Sequence, residues 1–441
     1  MTLFRHRDFR RLWIGESVSA VGSQVTLLAL PLMAVLVLDA SPLDLGLLTA
    51  AGLAPWVLFS LIVGVWVDRL PFLRPVLILS DLGRAAVIAS VPLVALAGVV
   101  GLPQLYLVAF LAGSLTLVFN VAYVSYLPTL IARDRLVDAN GKLQASQAAA
   151  QIAGPSLAGL LVQVLTAPLA LLFDAASFLV SAVCLAAIGR PEARRASTTD
   201  GSLWNDLRSG LRFVVHDPLQ RASAGAAATL NFFGMGQFAI VVLFATRDLE
   251  LDPGAIGLAF AVGSVGGLAG AILASSVSSR FGTGRAIRAS MCAFPVALAL
   301  VPLASFVQPG LQAAVVLAVS ELVGGVAVSI FDVTLSGLRQ AETPQDLMGR
   351  ASGAMSFLTQ SAKPLGALSA GLLAQAIGVE ATLWVAAAGG LLVLPWVVLG
   401  RFEATESRTP ADAPPGGEDA SAAGHDVTGM PGAGWAEEHA A

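Results

Sequence analysis

Charge is what this chain has least of. Only 12% of its 441 residues are Asp, Glu, Lys or Arg, half of the ~25% carried by a water-facing globular chain. That deficit excludes an ordinary soluble enzyme, because burying a core does not remove the need for a charged surface. Cysteine is scarce as well. Cys184 and Cys292 both lie in apolar runs, so no disulfide framework is expected. The four histidines (His6, His216, His425 and His439) fall outside the apolar runs, which speaks against haem or an intramembrane metal. Neither a phosphate loop nor a basic aromatic surface is present, so ATP hydrolysis and nucleic-acid binding are not expected. No cofactor and no catalytic residue set is foreseen.

Apolar residues dominate instead: 56% belong to the AVILMFWYC set, and 44 glycines come besides. They fall in runs of roughly 18 to 25, the length that crosses ~30 Å of hydrocarbon as a helix. The expected fold is an all-α integral membrane protein with twelve spans at about 12–36, 44–66, 76–97, 105–127, 141–164, 169–188, 222–245, 255–277, 287–305, 312–335, 353–376 and 381–400. The first run follows basic residues but ends without a small-residue cleavage site, so it reads as a retained span. With the N-terminus inside, 22 of the 25 basic residues fall in inside segments, Arg247 alone in an outside loop, and Arg84 and Lys363 within spans. Both termini are therefore expected on the cytoplasmic side of the cell membrane, in a monomer whose partners are lipid, a small molecule and protons.

The chain is expected to divide into a six-helix bundle at 1–188, a cytoplasmic central loop at 189–221, a second six-helix bundle at 222–401 and a tail at 402–441. Trp204, Leu207, Leu211, Val214 and Val215 share one face of an amphipathic helix over 202–216, opposite Asp206, Arg208 and Arg212, and predict a tether along the inner membrane surface. The acidic tail, poor in large apolar residues, is expected to be disordered. The halves repeat: Ala153–Gln163 matches Leu365–Gln375 at six of eleven positions, at an offset of 212. At that offset Phe119-Asn120-Val121 faces Phe331-Asp332-Val333. Parallel six-span repeats predict a transporter with its substrate path between them.

Gly64, Asp68, Arg69 and Arg74 resemble the loop motif of the major facilitator superfamily, in which a glycine precedes an Asp-Arg pair and a further basic residue. The resemblance covers about residues 1–400 and implies two bundles that rock about a central site, with Asp68 a latch on that motion. At the matching second-half positions, Ser275 and Ser279 replace Gly and Asp. Gly141, Gly154, Pro155 and Gly159, with Ala150 and Ala158 in place of glycine, resemble the span-five motif of the superfamily's drug–proton antiporters. Phe9–Gly15 and Phe173–Phe178 look like its macrolide-efflux and siderophore-exporter branch. The arginine that many such antiporters carry in span four is missing, since 105–127 is uncharged.

Charges inside spans cost ~2.5–3.5 kcal/mol each on insertion scales, so each requires a reason. Glu16 is expected to snorkel towards Arg10 and Arg11, with proton coupling as its other reading. Asp81 and Arg84, three residues apart on one helix face, are expected to neutralise each other at the cytoplasmic gate. Asp174 and Asp332, near span ends, are expected to be solvated. Glu321 and Lys363 lie deep. Either they form a buried ion pair, or Glu321 exchanges a proton with Lys363 modulating it; Asp332, Asp174 and Glu16 are the further coupling candidates. Phe110, Phe119, Asn120, Tyr123, Asn231, Phe232, Phe233 and Gln237 are candidates to line an amphipathic cavity. The glycines at Gly263–Gly270 have no preceding strand and are read as helix packing. The function expected is export of an amphipathic small molecule, drug-, macrolide- or siderophore-like, by proton antiport. Its rivals are an importer or facilitator on the same fold, or a non-transporting membrane sensor.

Overall fold

Helices begin here where the sequence offers a cap. Ser41 Oγ accepts from the Asp44 backbone N–H, the Asp44 carboxylate accepts in return from the Ser41 N–H, and Pro42 occupies the first turn between them. Asp217 starts another helix by accepting from the Gln220 N–H at 2.8 Å, again ahead of a proline. Gly282 and Gly378, with φ of 89° and 91°, end one helix and begin the next, a conformation that L-residues with side chains rarely adopt.

The computed structural model describes residues 3–192, 203–343 and 347–400, and no strand occurs among them. Six helices come first: α1 Arg7–Leu36, α2 Pro42–Asp68, α3 Arg74–Leu96, α4 Leu102–Leu130, α5 Leu136–Val164 and α6 Ala167–Ala186. A short α7 Leu203–His216 precedes α8 Pro218–Arg247, α9 Pro253–Phe281, α10 Thr283–Leu303, α11 Leu311–Glu342 and α12 Met348–Ile377. The last apolar run forms α13 Val379–Gly390 and α14 Leu394–Leu399, joined by a 3-10 turn at Leu391–Val393. Ten helical segments among the described residues are long and apolar enough to cross a membrane. The helices α5 and α12 match them in length at 29 and 30 residues but carry more polar groups, Gln144, Gln147 and Gln151 in one and Ser352, Thr359, Gln360 and Lys363 in the other. The acidic tail and residues 193–202 of the central loop lie outside the described residues.

The helix packing repeats. In the first set α1 packs on α5 and α6, α3 on α4 and α6, and α2 on α4. In the second set α8 packs on α12 and α13, α10 on α11 and α13, and α9 on α11. The two sets join through α2 on α12 and α5 on α9. At both joints the contact is glycine against backbone: a Cβ on Gly159 would overlap the Pro253 carbonyl, one on Gly257 the Pro155 carbonyl, and one on Gly46 would stand 2.9 Å from the Gly371 Cα. Gly159 and Gly371 are the same repeat position, 212 apart, so the repeat visible in sequence builds the seam between the halves. Gly154 abuts Gln24 of α1, whereas Gly141 faces open space and takes no part.

The halves meet at one end only. Taking the end where α1 starts as the near end, the core around Phe9, Leu77 and Leu130 belongs to the first repeat, and the core around Met291, Phe294 and Phe331 to the second. At the far end one continuous core runs through both repeats, from Leu28, Met33 and Leu48 to Val242, Phe244 and Ile256. Arg247 closes that end by pairing with Asp39 and donating to the Ala40 carbonyl at 3.2 Å. This is a state sealed at the far end and split at the near end.

One expectation about the loops is corrected. The described apolar face of α7 is divided rather than laid wholly along the membrane surface, since Val215 on that face is 52% exposed while its neighbours turn inward. Val214, 1% exposed, packs with Leu211 against Ala224 of α8 and Ala354, Met355 and Leu358 of α12, and Gly210 abuts the Arg350 carbonyl. Small residues on those two helices, Ala224 and Ala354, leave the groove that receives Val214. At the near end the linker is tied instead to the first repeat: Asp8 accepts from the Gly189 and Arg190 N–H groups, and Glu192 from the Leu73 and Arg74 N–H groups.

Candidate functional site

A cavity of about 260 Å³ lies between the repeats. Its walls are apolar, from Leu27, Leu30 and Pro31 of α1, Leu48 of α2, Ile88 of α3, Val108 of α4 and Phe178 of α6, with Met235 and Phe238 of α8 closing it from the second repeat. Hydroxyls at Ser23, Thr26, Thr49 and Thr116 dot this surface, and Arg84 and Asp174 are its charged groups.

Those two belong to a buried cluster. Asp174 is 1% exposed; its carboxylate accepts from Thr26 Oγ1 and, at 3.1 Å, from Ser177 Oγ. Gly22 makes room for it, since a Cβ there would overlap both Ser177 and Asp174. Arg84 pairs with Asp81, and its guanidinium lies over the rings of Phe119 at 4.3 Å and Phe178 at 4.2 Å. Glu16 turns inward, within electrostatic reach of Asp81 and Arg84, and its Oε1 is buried without a partner, as are Asp81 Oδ2, Arg84 Nε and Tyr123 Oη. Three carboxylates thus share one guanidinium.

Several expectations change here. Glu16 does not snorkel to Arg10 and Arg11, because residues five and six apart on a helix point to different faces. Asp174 is not solvated. Asp81 and Arg84 do neutralise each other, but inside the first repeat and against the cavity rather than at a near-end gate.

Glu321 and Lys363 do not pair. Glu321 packs against Gly263 of α9 in a crevice with Gln24, Leu27, Pro155 and Phe238, so both repeats line it. Leu27 and Phe238 also line the apolar cavity and form the wall between it and the crevice. Lys363 lines a different, polar cavity of about 400 Å³ bounded by α8, α11 and α12, where its electrostatic partner is Asp332. Depth explains the difference. At about 1.5 Å per residue, Lys363 stands roughly 22 Å from the start of α12, while Asp332 stands roughly 15 Å and Glu321 roughly 32 Å from the end of α11. Asp332 is exposed to that cavity, as expected, but it is not at a helix end, since α11 continues through Leu335 and Leu338 to Glu342.

Of the remaining candidates, Asn231 lines the polar cavity. Phe119 stacks on Tyr123 inside the first repeat, and Phe110 packs edge-on to Phe59. Phe232 lies edge-on to Phe233, whose ring fills the space beside Gly389. Gln237 is 6% exposed with its Oε1 unpartnered, and Asn120 is exposed. In the loop motif, Gly64 has nothing within 4 Å of a would-be Cβ. Asp68 makes no ion pair or side-chain hydrogen bond among the described residues, Arg69 is exposed, and Arg74 donates to the Ala186 carbonyl. Gly263, Gly266 and Gly270 carry α9 against α11, as helix packing requires. Sequence reasoning missed Gly22, Thr26, Met235, Phe238 and Arg339; the first two lie four apart on the α1 face opposite Asp174, a signal usable only once α1 and α6 are known to touch.

Two helical repeats, sealed at one end around a cavity with buried charges, define a multi-pass membrane transporter rather than an enzyme. The chain matches the Major Facilitator Superfamily over residues 12–363 and again over 224–436, and it belongs to that superfamily. It is 30% identical over 396 residues to the multidrug efflux pump Tap of Mycolicibacterium fortuitum, covering 87% of this chain and 91% of that protein. To the uncharacterized MFS-type transporter YfiS of Bacillus subtilis (strain 168) it is 25% identical over 394 residues, 86% of this chain and 89% of that one. Among solved structures, a bacterial homologue of the iron transporter ferroportin in an inward-facing state superposes with a TM-score of 0.71 at 20% identity, over 90% of this chain and all of that one. The nucleoside transporter NupG superposes with a TM-score of 0.71 at 15% identity, over 89% and 99%. These structural likenesses show the fold.

Proposed function

We propose that the chain exports amphipathic small molecules across the cytoplasmic membrane in exchange for protons, crossing twelve times with both termini inside. The observation that carries this reading is the cavity between the repeats, whose apolar walls meet Asp174 and Arg84 beside a second buried carboxylate, Glu321. Apolar walls with few hydroxyls suit amphipathic cargo of varied shape, and relatives named as multidrug efflux pumps favour the outward direction. Glu321 is the carboxylate assigned to the exchanged proton. Asp174 has fixed hydrogen bonds, and Asp81 and Glu16 face Arg84, whereas Glu321 has no cation partner among the described residues. Holding it uncharged while the crevice is dry avoids the cost of a bare buried charge. Opening the seam that Gln24 and Pro155 share with it admits water and lets the proton leave.

The experiment is efflux of ethidium from cells with and without the protein, before and after collapse of the proton gradient. Faster efflux that collapses with the gradient supports the reading. Accumulation driven by the protein in intact cells would reverse the direction, and efflux indifferent to the gradient would remove the coupling.

A further inference from the structure

The polar cavity of the second repeat contains two opposite charges that are kept apart. Asp332 on α11 and Lys363 on α12 both line it and feel each other's field, yet no ion pair joins them and neither makes a side-chain hydrogen bond among the described residues. Around them stand neutral hydrogen-bonding groups: Asn231, whose amide N–H₂ donates to the Ala227 carbonyl at 2.9 Å, with Thr359 and Gln360. The other charged lining group is Arg339, two turns nearer the near end, and its Nε is engaged by Gln220 Oε1 at 3.1 Å.

The repeat shows that these charges are not part of the framework. At the offset of 212, Asp332 corresponds to Asn120 and Lys363 to Gln151, both exposed neutral amides. The second repeat has therefore acquired one negative and one positive group at matched positions, on two helices facing one cavity. Asp332 is exposed to the cavity and Lys363 is half-buried, and two opposite charges held out of contact across one cavity are completed best by a ligand that brings the complementary pair. A ligand with one charge completes one of them and leaves the other unpaired, which discriminates against it.

We propose that this cavity is a binding site for the zwitterionic end of a small molecule, with Lys363 receiving a carboxylate and Asp332 an ammonium group. This rests on the reading above of a cavity-bound amphipathic cargo, and it narrows the cargo to molecules that join an apolar body to an amino-acid-like head. The apolar cavity beside Phe238 then takes the body.

The test uses the full chain purified in lipid nanodiscs and Nε-dansyl-lysine as probe, whose fluorescence reports binding, against its methyl ester, which lacks the carboxylate, and its Nα-acetyl derivative, which lacks the ammonium. The zwitterion is expected to bind at least tenfold more tightly than either derivative. Lys363→Met should erase its advantage over the ester, and Asp332→Asn its advantage over the acetyl derivative. The double variant removes both charges together, so it folds even where a single variant does not, and it should bind all three probes alike. Equal binding of zwitterion and ester by the unaltered protein, or an advantage that survives in the double variant, overturns the proposal. Selective zwitterion binding without ethidium efflux would remove the export reading and leave this site; ethidium efflux without selectivity would do the reverse.

Discussion

Gly371 of α12 lies against Gly46 of α2, so close that a Cβ on either would stand 2.9 Å from the other's Cα. The same contact recurs one repeat away, where Gly159 of α5 meets Gly257 of α9. Backbone-to-backbone approach of this kind is how helices associate in lipid, where burying apolar surface against a neighbour gains little over burying it in acyl chains. Both contacts bridge the two repeats near the far end, so they exist in this state and must part when that end opens.

Gly371→Leu should therefore act on one conformation. Overpacking of this kind costs about 1–3 kcal/mol, which changes a two-state ratio by about five- to 150-fold. Leu251, 6% exposed at the far end, gives the readout: in a Leu251→Cys protein freed of its native cysteines, labelling by a membrane-impermeant maleimide should quicken when Gly371→Leu is added. Gly141→Ala, facing open space, should change nothing. Equal labelling rates would mean that the glycine contacts do not hold the far end shut.

Arg84→Gln should lower stability strongly. It leaves Asp81 buried without its partner, a loss of about 3–5 kcal/mol for a broken buried pair, together with contacts to two aromatic rings. The melting temperature in detergent is expected to fall by several degrees, and Asp81→Asn added to Arg84→Gln should restore most of it. A single variant that melts with the parent protein would show that the cluster is not held by this guanidinium.

The exposed pair between Arg247 and Asp39 should behave differently. Ion pairs at the surface are worth about 0.2–1 kcal/mol, so Arg247→Gln should leave the melting temperature almost unchanged while Leu251→Cys labelling rises. A large drop in melting temperature would contradict that assignment.

Asp68 has no ion-pair or side-chain hydrogen-bond partner among the described residues in this state, which is split at the near end. If its latch forms when the near end closes, Asp68→Asn removes a charge-assisted bond from the other conformation only. Flux should fall sharply at normal expression, with the protein trapped as seen here. Unimpaired flux would make the motif an ordinary basic loop.

How much of this was legible in the sequence depends on what fixes each feature. Lipid leaves backbone groups without partners, so long apolar runs must be helices, and those runs are plain in the sequence. The repeat at 212 was equally plain, and it marked Gly159 and Gly371 before their contact was visible. Which face and which depth a residue occupies was not legible. Glu16 is near Arg10 and Arg11 in number but not in direction. The apolar runs set Lys363 opposite Glu321 because they stop seven residues before α11 ends and start five residues after α12 begins, and the true helix ends bring Lys363 nearer the level of Asp332 than that of Glu321. Thr26 and Phe238 carry no signal of their own; they matter only through the neighbours that helix packing supplies.

The central claim is that the protein couples export to protons through Glu321, and proteoliposomes with an imposed pH gradient test it most directly. Ethidium movement into inside-out vesicles with an acidic interior should exceed movement without the gradient. Glu321→Gln should abolish that excess yet retain exchange of ethidium across the membrane at equal pH, because exchange needs no change of protonation. Gradient-driven movement that persists in Glu321→Gln would contradict the account.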